Sequence, residues 1–447
     1  MHNDQLNNNS IRYLIIQMIS ISTVIFISIY VQNNYFLYLV LLISTMFIVK
    51  NPIYLGIPLY WIFIFSTQYY IVGGSSIARI LGIIIIASLL LKIAISHSKT
   101  RFDNITFIVI IFTLMTLVSV IYSVDISSSI SNFFVLLINI IIFLLVYLSK
   151  FHLIKLLKLI YYASILSVLF AIFLVIANGN FIEELASGNI SRISMDNDQN
   201  PGEFGRNLFI LFSFILFYFG IFFRNSKKIF TYLLLLITFF LIFLSGSRTS
   251  FVSSILVILI FIISRKNVSF IKILATIIST IFVIWLSFAL FGSSVDSILS
   301  RFNIDYIIDT QGARRFTLWK LYIDFVIPNH IFFGVGIGGT AEVVALQKYY
   351  PLVSYIYLKP AHNMYLELII QFGLFGFSLF MIFFVNVFKK YFASARYNKE
   401  LKFGLLIILS CLMLMSIGEP MFFSKPFWLV ITLLIIQTDK GVKYENN

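Results

Sequence analysis

The stretch KKIFTYLLLLITFFLIFLSGSRTSFVSSILVILIFIISRK, residues 227–266, decides the fold. Two apolar runs, 228–245 and 248–264, meet at Ser245-Gly246-Ser247-Arg248-Thr249-Ser250 and are bounded by Lys227, Lys228, Arg265 and Lys266. About 20 residues of helix cross the roughly 30 Å of bilayer hydrocarbon. A spanning backbone must satisfy its own hydrogen bonds, so each run reads as a transmembrane helix. The pair crosses and returns, leaving both basic ends on one side.

The rest of the chain repeats this pattern. It has 447 residues, 60% hydrophobic and 11% charged, with a mean hydropathy of +0.99, whereas a soluble domain is about a quarter charged. About fourteen apolar runs are long enough to read as spans: 11–31, 35–49, 53–72, 76–96, 105–123, 130–149, 153–177, 206–223, 228–245, 248–264, 270–292, 365–388, 402–417 and 421–437. The alternation of a membrane β-barrel is absent. The run from Ile11 is too long, with the wrong flanks, for a cleaved signal peptide. The expected fold is therefore an all-α polytopic membrane protein of about 12–14 transmembrane helices. No repeat or low-complexity linker divides it, so 1–447 reads as one membrane domain with two long connections, 178–205 and 293–364. The single cysteine, Cys411, supports neither a disulfide framework nor a thiolate metal site.

The formal charge of +14 invites a nucleic-acid reading, which its distribution opposes. With the N-terminus cytoplasmic, the inside connections and termini hold 21 basic residues against five acids, leaving 11 and 13 outside. This is the positive-inside pattern. It predicts both termini in the cytoplasm, both long connections outside, and no nucleic-acid partner. A re-entrant second or third segment would flip only what lies upstream of it.

Three predicted spans start at the outer face directly after a polar connection, each with a basic or titratable residue in its first turn. The eighth follows Asn200-Pro201 and carries Arg206, the tenth opens on Arg248, and the twelfth opens on His362-Asn363. Helix N-termini favour anions, so Arg248 reads as an anion ligand capped by Ser247 or Thr249, or else as a snorkelling interfacial arginine. At a helix N-terminus His362 is favoured as the neutral ring a general base requires; the bland reading is a histidine bonded to a loop carbonyl.

Within the second long connection, 313–327 reads as an amphipathic surface helix. Thr317, Lys320 and Asp324 share one face, while Leu318, Trp319, Tyr322, Phe325 and Val326 lie opposite. Arg315 projects from the apolar side and Arg314 sits nearer the edge. A cation on an apolar face is a functional candidate, unless it pairs with Asp305 or Asp309. Glu419, between the last two spans, also faces out and reads as a second base or a salt-bridge partner. The run Gly334-Val335-Gly336-Ile337-Gly338 follows no strand and opens no helix, so it does not read as a nucleotide loop. No acidic pair or His/Cys cluster has metal-site spacing, so neither a metal nor a cofactor is expected.

Four segments in order resemble the O-antigen polymerase and O-antigen ligase superfamily, the Wzy-type polymerases and WaaL-type ligases. They are Asn200-Pro201; Ser245 to Ser250; Arg315 and Trp319 leading into Gly334 to Gly338; and His362-Asn363-Met364-Tyr365-Leu366-Glu367 running to Gly373-Leu374-Phe375-Gly376. The resemblance covers roughly 195–380. It departs at Gln371, where an acid is common, and at Gly202, where asparagine is frequent. It implies a GT-C-like fold in the bacterial cytoplasmic membrane. The implied reaction is metal-free transfer of glycan from an undecaprenyl-diphosphate-linked oligosaccharide donor to an acceptor glycan, on the extracytoplasmic side. Arg248 and Arg315 would hold the diphosphate and His362 would act on the acceptor hydroxyl. Arg206, Arg314, Asn200, Asn363, Trp319 and Glu419 complete the expected substrate-binding set. Membrane lipid and a chain-length regulator protein are the expected partners. Polymerase and ligase share this donor and differ in acceptor. A flippase would instead concentrate charge at mid-membrane in repeated halves, and no such repeat is visible.

Overall fold

A computed structural model describes residues 2–31, 34–66, 71–72, 75–96, 102–149, 151–177, 193–194, 200–222, 229–264, 311–353, 357–394 and 399–436. The expected span at 270–292 and most of the two long connections up to residue 310, with Asp305 and Asp309, lie outside them.

Thirteen of the expected spans coincide with helices. They are α1 (His2–Tyr30), α2 (Asn34–Lys50), α3 (Ile57–Ser66, preceded by a π-turn at Pro52–Gly56), α4 (Ile77–Ser96), α5 (Asn104–Ile121), α6 (Ile126–Leu148), α7 (Leu153–Ala177), α8 (Pro201–Phe222), α9 (Ile229–Leu244) and α10 (Arg248–Ile263). After two short loop helices, α11 (Gln311–Leu321) and α12 (Gly339–Tyr349), come α13 (Met364–Ser394), α14 (Lys399–Met415) and α15 (Lys425–Ile435). Seven are long and apolar enough to cross a membrane and six are shorter apolar helices. The strands described are two-residue segments, Ile71–Val72 paired antiparallel with Ser75–Ser76. The protein is an all-α polytopic membrane protein.

Serines and threonines inside the spans bond back to the preceding turn, as Ser44 Oγ does to the Val40 carbonyl at 2.6 Å and Ser167 Oγ to Ala163 at 2.9 Å. Hydroxyls satisfied in this way are tolerated where no water is available.

The chain forms two compact units, Met1–Lys92 with Phe151–Asn303 and Ile93–Lys150 with Ile304–Asn447. In the first, α3 is shorter than its expected span and buried on every side, because its run is apolar all round. Trp61 donates to Ser164 Oγ at 3.0 Å and packs edge-on against Phe214 of α8. The first turn of α8 lies against the turn before α10: a Cβ at Gly205 would fall 2.4 Å from Ser245 Oγ.

In the second unit α5, α6, α13 and α15 share an aromatic core containing Phe112, Phe143, Phe383, Phe422 and Trp428. At one end Asp103 caps α5 and accepts from Lys390 Nζ, at 2.6 Å, and from Tyr147. Burial raises the Asp103 carboxyl, but these bonds and the Thr106 amide outweigh it and leave it lowered to about 2. The ends of α5, α6 and α13 that meet here are those assigned to a single face by the charge pattern.

At the other end α13 is broken at Gly373 (φ 65°). The segment 331–336 runs beside the break and takes over its backbone bonds. Leu374 N and Phe375 N donate to the Ile331 and Phe332 carbonyls at 2.8 and 3.2 Å, while Val335 N and Gly336 N donate to Ile370 and Gln371 at 2.8 and 3.1 Å. The glycine-rich run is thus a structural strap, and, against the expectation that it opens no helix, it leads directly into α12 with Gly338 at the cap position. Gly336 (φ 102°) lies so close to Ser123 that a Cβ would approach it to 2.4 Å.

Gly373→Ala places a Cβ 2.2 Å from the Phe332 backbone at a φ that alanine resists. It is expected to cost at least about 2 kcal/mol. Thermal unfolding of the purified protein in detergent checks this.

Candidate functional site

The site in the second unit is built on the amphipathic segment. Its apolar face is the expected one: Leu318, Tyr322 and Val326 are buried against Ala341, Ala345, Leu346 and Ala361, while Lys320 and Asp324 are exposed. The helix gives way after Leu321 to a π-turn, Tyr322–Val326, which the helical period did not anticipate. Arg315 is half-buried and Arg314 exposed, with a left-handed backbone at φ 66°. Among the described residues Arg315 forms no ion pair.

This segment grips the chain just before α13. Tyr322 donates its hydroxyl to the Lys359 carbonyl and Trp319 its indole N–H to the Ala361 carbonyl, both at 2.8 Å. From other directions, Glu342 Oε2 accepts the Ala361 N–H at 3.0 Å and Glu367 Oε1 the His362 N–H at 2.9 Å. Asn363 caps α13, its Oδ1 accepting from Tyr365 N and Leu366 N at 3.1 and 3.2 Å. Between these anchors His362 is left-handed, at φ 52°. A non-glycine residue there costs about 1–2 kcal/mol and persists only where its surroundings fix it.

His362 is half-buried, and Arg315 and Lys359 are near enough for their charges to act on its ring. Burial first, and then these two cations, push the imidazole down to about 4. The direction is the one expected at a helix terminus, but desolvation is its first cause. Glu419 is close enough to Glu367 for their charges to interact.

Glu342 is a feature the sequence reading missed. It is fully buried, accepts from Gln371 Nε2 at 2.6 Å, and is raised well above the usual carboxylate range by burial and by Glu367. Gln371 Oε1 accepts in turn from Gly338 N at 3.0 Å. The available signal was Glu342 on the same α12 face as Ala341, Ala345 and Leu346. His330 pairs through Nε2 with Tyr349 Oη at 2.8 Å.

The other expected residues belong to the first unit. Arg248 is the first residue of α10 and is half-buried. Ser247 occupies the cap position, but its hydroxyl pairs with Ser250 Oγ at 2.8 Å and does not cap the helix. Arg206 is buried and paired with Glu203 at 2.9 Å, and Asn200 Oδ1 accepts the Gly202 N–H at 2.9 Å at the start of α8. Arg315 and His362 are therefore brought within electrostatic range of each other inside one unit, and Asn200, Arg206 and Arg248 lie in the other.

The fold defines a polytopic membrane protein whose second unit presents a half-buried histidine within electrostatic range of an arginine. Residues 233–381, about a third of the chain, match the O-antigen ligase family model, Wzy_C, in agreement with the superfamily resemblance. The matched segment contains Arg248, Arg315, Glu342 and His362, and it supports an O-antigen-related membrane enzyme. The comparison with curated proteins returns no match.

Two predictions follow from His362. Its ring should remain neutral down to about pH 4, and Lys359→Met, by removing a cation, should raise the midpoint. Histidine NMR of the labelled protein measures both. A free imidazole titrates near 6.5, so the unfolded chain binds more protons between the two values. The contribution of this residue to stability thus falls as pH drops from about 6.5 to about 4. Separately, His362→Gly should be more stable than His362→Ala by about 1 kcal/mol, because glycine adopts a positive φ freely. Thermal unfolding of the two variants compares them.

Proposed function

We propose that this protein polymerises undecaprenyl-diphosphate-linked oligosaccharide repeats at the outer face of the cytoplasmic membrane, by metal-independent inverting transfer. The observation that carries the reading is a neutral, half-buried His362 under the influence of Arg315, within the segment that matches the family model.

In this reading His362 takes the proton of the acceptor hydroxyl as its oxygen attacks the anomeric carbon. The bond from that carbon to the diphosphate breaks, and attack opposite the leaving group inverts the configuration. Arg315 receives the charge on the departing diphosphate through charge-assisted bonds, and Arg248 is the other arginine to which the resemblance gives a diphosphate role. A ring at about 4 is a weak base near neutral pH. A diphosphate beside Arg315 offsets one of the two cations that, after burial, depress it, so donor binding makes His362 more basic when the acceptor needs it.

Ligation to a lipid A core is the second reading, favoured by the description of the matching family as O-antigen ligase. The test is the surface glycan profile of a deletion strain complemented with wild type, Arg248→Ala, Arg315→Ala or His362→Ala at equal expression. For a polymerase, wild type restores a ladder and the three variants leave single repeats attached. For a ligase, the variants accumulate long chains still on the lipid carrier. Full ladders from all three would remove these residues from the reaction.

A further inference from the structure

Two consecutive backbone N–H groups, those of Ala361 and His362, are each received by a buried carboxylate, Glu342 Oε2 at 3.0 Å and Glu367 Oε1 at 2.9 Å. Both side chains are almost entirely inaccessible, at 0% and 3%. Burying two carboxylates near each other is unfavourable unless each is well bonded. Apolar packing alone does not explain acids here, and helix capping does not either: Asn363 already caps α13. What the pair does accomplish is geometric. With Trp319 on the Ala361 carbonyl and Tyr322 on the Lys359 carbonyl, the acids fix the backbone of 359–362 from several sides, at the point where His362 is left-handed.

The bonding around Glu342 is directional. Its Oε1 accepts from the Gln371 amide at 2.6 Å, and Gln371 Oε1 accepts from Gly338 N at 3.0 Å. Acid and amide thus form a chain of hydrogen bonds from the strap to the histidine loop. Reversing the pair, with glutamine at 342 and glutamate at 371, preserves every bond: the amide oxygen receives Ala361 N–H, the amide nitrogen donates to the carboxylate, and the carboxylate still receives Gly338 N–H.

We propose that Glu342 and Glu367 are positioning residues that hold His362 in its left-handed conformation through the main chain, with Gln371 orienting Glu342. Their relevance to transfer rests on His362 acting in the reaction proposed above. Glu367 serves as an acceptor for an N–H group, a role glutamine can fill and methionine cannot.

The test uses the full-length protein in detergent with carbon-13-labelled histidine rings, the His362 resonance being assigned by its loss in His362→Gln. Glu367→Gln should keep the wild-type His362 shift, and Glu367→Met should displace or broaden it. In cells Glu367→Met should reduce the glycan ladder about a hundredfold, as misplacement of a reacting group does, with Glu367→Gln close to wild type. Glu342→Gln should lower transfer and perturb the ring, and Glu342→Gln/Gln371→Glu should restore both. The double variant separates positioning from failure to fold, because recovery requires only exchange of the bond partners. Equal loss of the ladder from Glu367→Gln and Glu367→Met would overturn the proposal, as would an undisturbed His362 resonance in Glu367→Met. If the ring responds as expected while His362→Ala retains its ladder, positioning stands and the reaction assigned to His362 falls.

Discussion

The backbone exchange at the α13 break organises the second unit. An α-helix donates each N–H to the carbonyl four residues earlier, so a residue at φ 65° in mid-helix frees carbonyls before it and N–H groups after it. In a protein surrounded largely by hydrocarbon, such groups are costly unless paired. The strap supplies the partners in register: two of its carbonyls receive Leu374 and Phe375, and two of its N–H groups reach Ile370 and Gln371. Because the backbones approach so closely, Gly334 and Gly373 leave no room for a side chain at their contacts. The same pairing sets the strap beside the Gln371 amide, which reaches both Gly338 and Glu342, and so ties the loop carrying His362 to the membrane helices.

The membrane fold was legible because the bilayer imposes a length and an apolar composition that survive as runs in the sequence. What the runs did not reveal was local. The short, fully enclosed α3, the π-turn after Leu321 and the break at Gly373 depend on neighbours in space, and hydropathy carries no record of them. Gly373 belongs to the last of the four resembling segments, but only the strap running alongside it gives it a purpose.

The site shows the same division. Arg315 was found because a cation on the apolar face of an amphipathic helix violates a period, and periods are visible in sequence. His362 was found from its place ahead of a helix, although burial and two cations dominate its ionisation. Glu342 was missed because α12 is short and only weakly apolar, so an acid on its buried face does not interrupt a long pattern. Asn200, Asn363 and Trp319 each bond the backbone of their own unit, Asn363 and Trp319 beside the histidine. These bonds give them structural roles in addition to any contact with substrate.

Gln371 illustrates how a departure from a familiar pattern follows from charge. Glu367 already lies near Glu342 and Glu419, and all three are acceptors when ionised. A fourth carboxylate at 371 facing Glu342 would add repulsion and supply no donor. An amide contributes the N–H that Glu342 lacks and an oxygen for Gly338 as well. The acid placed at 342 and the amide at 371 are therefore one arrangement, and the identity of either residue is explained only by the other.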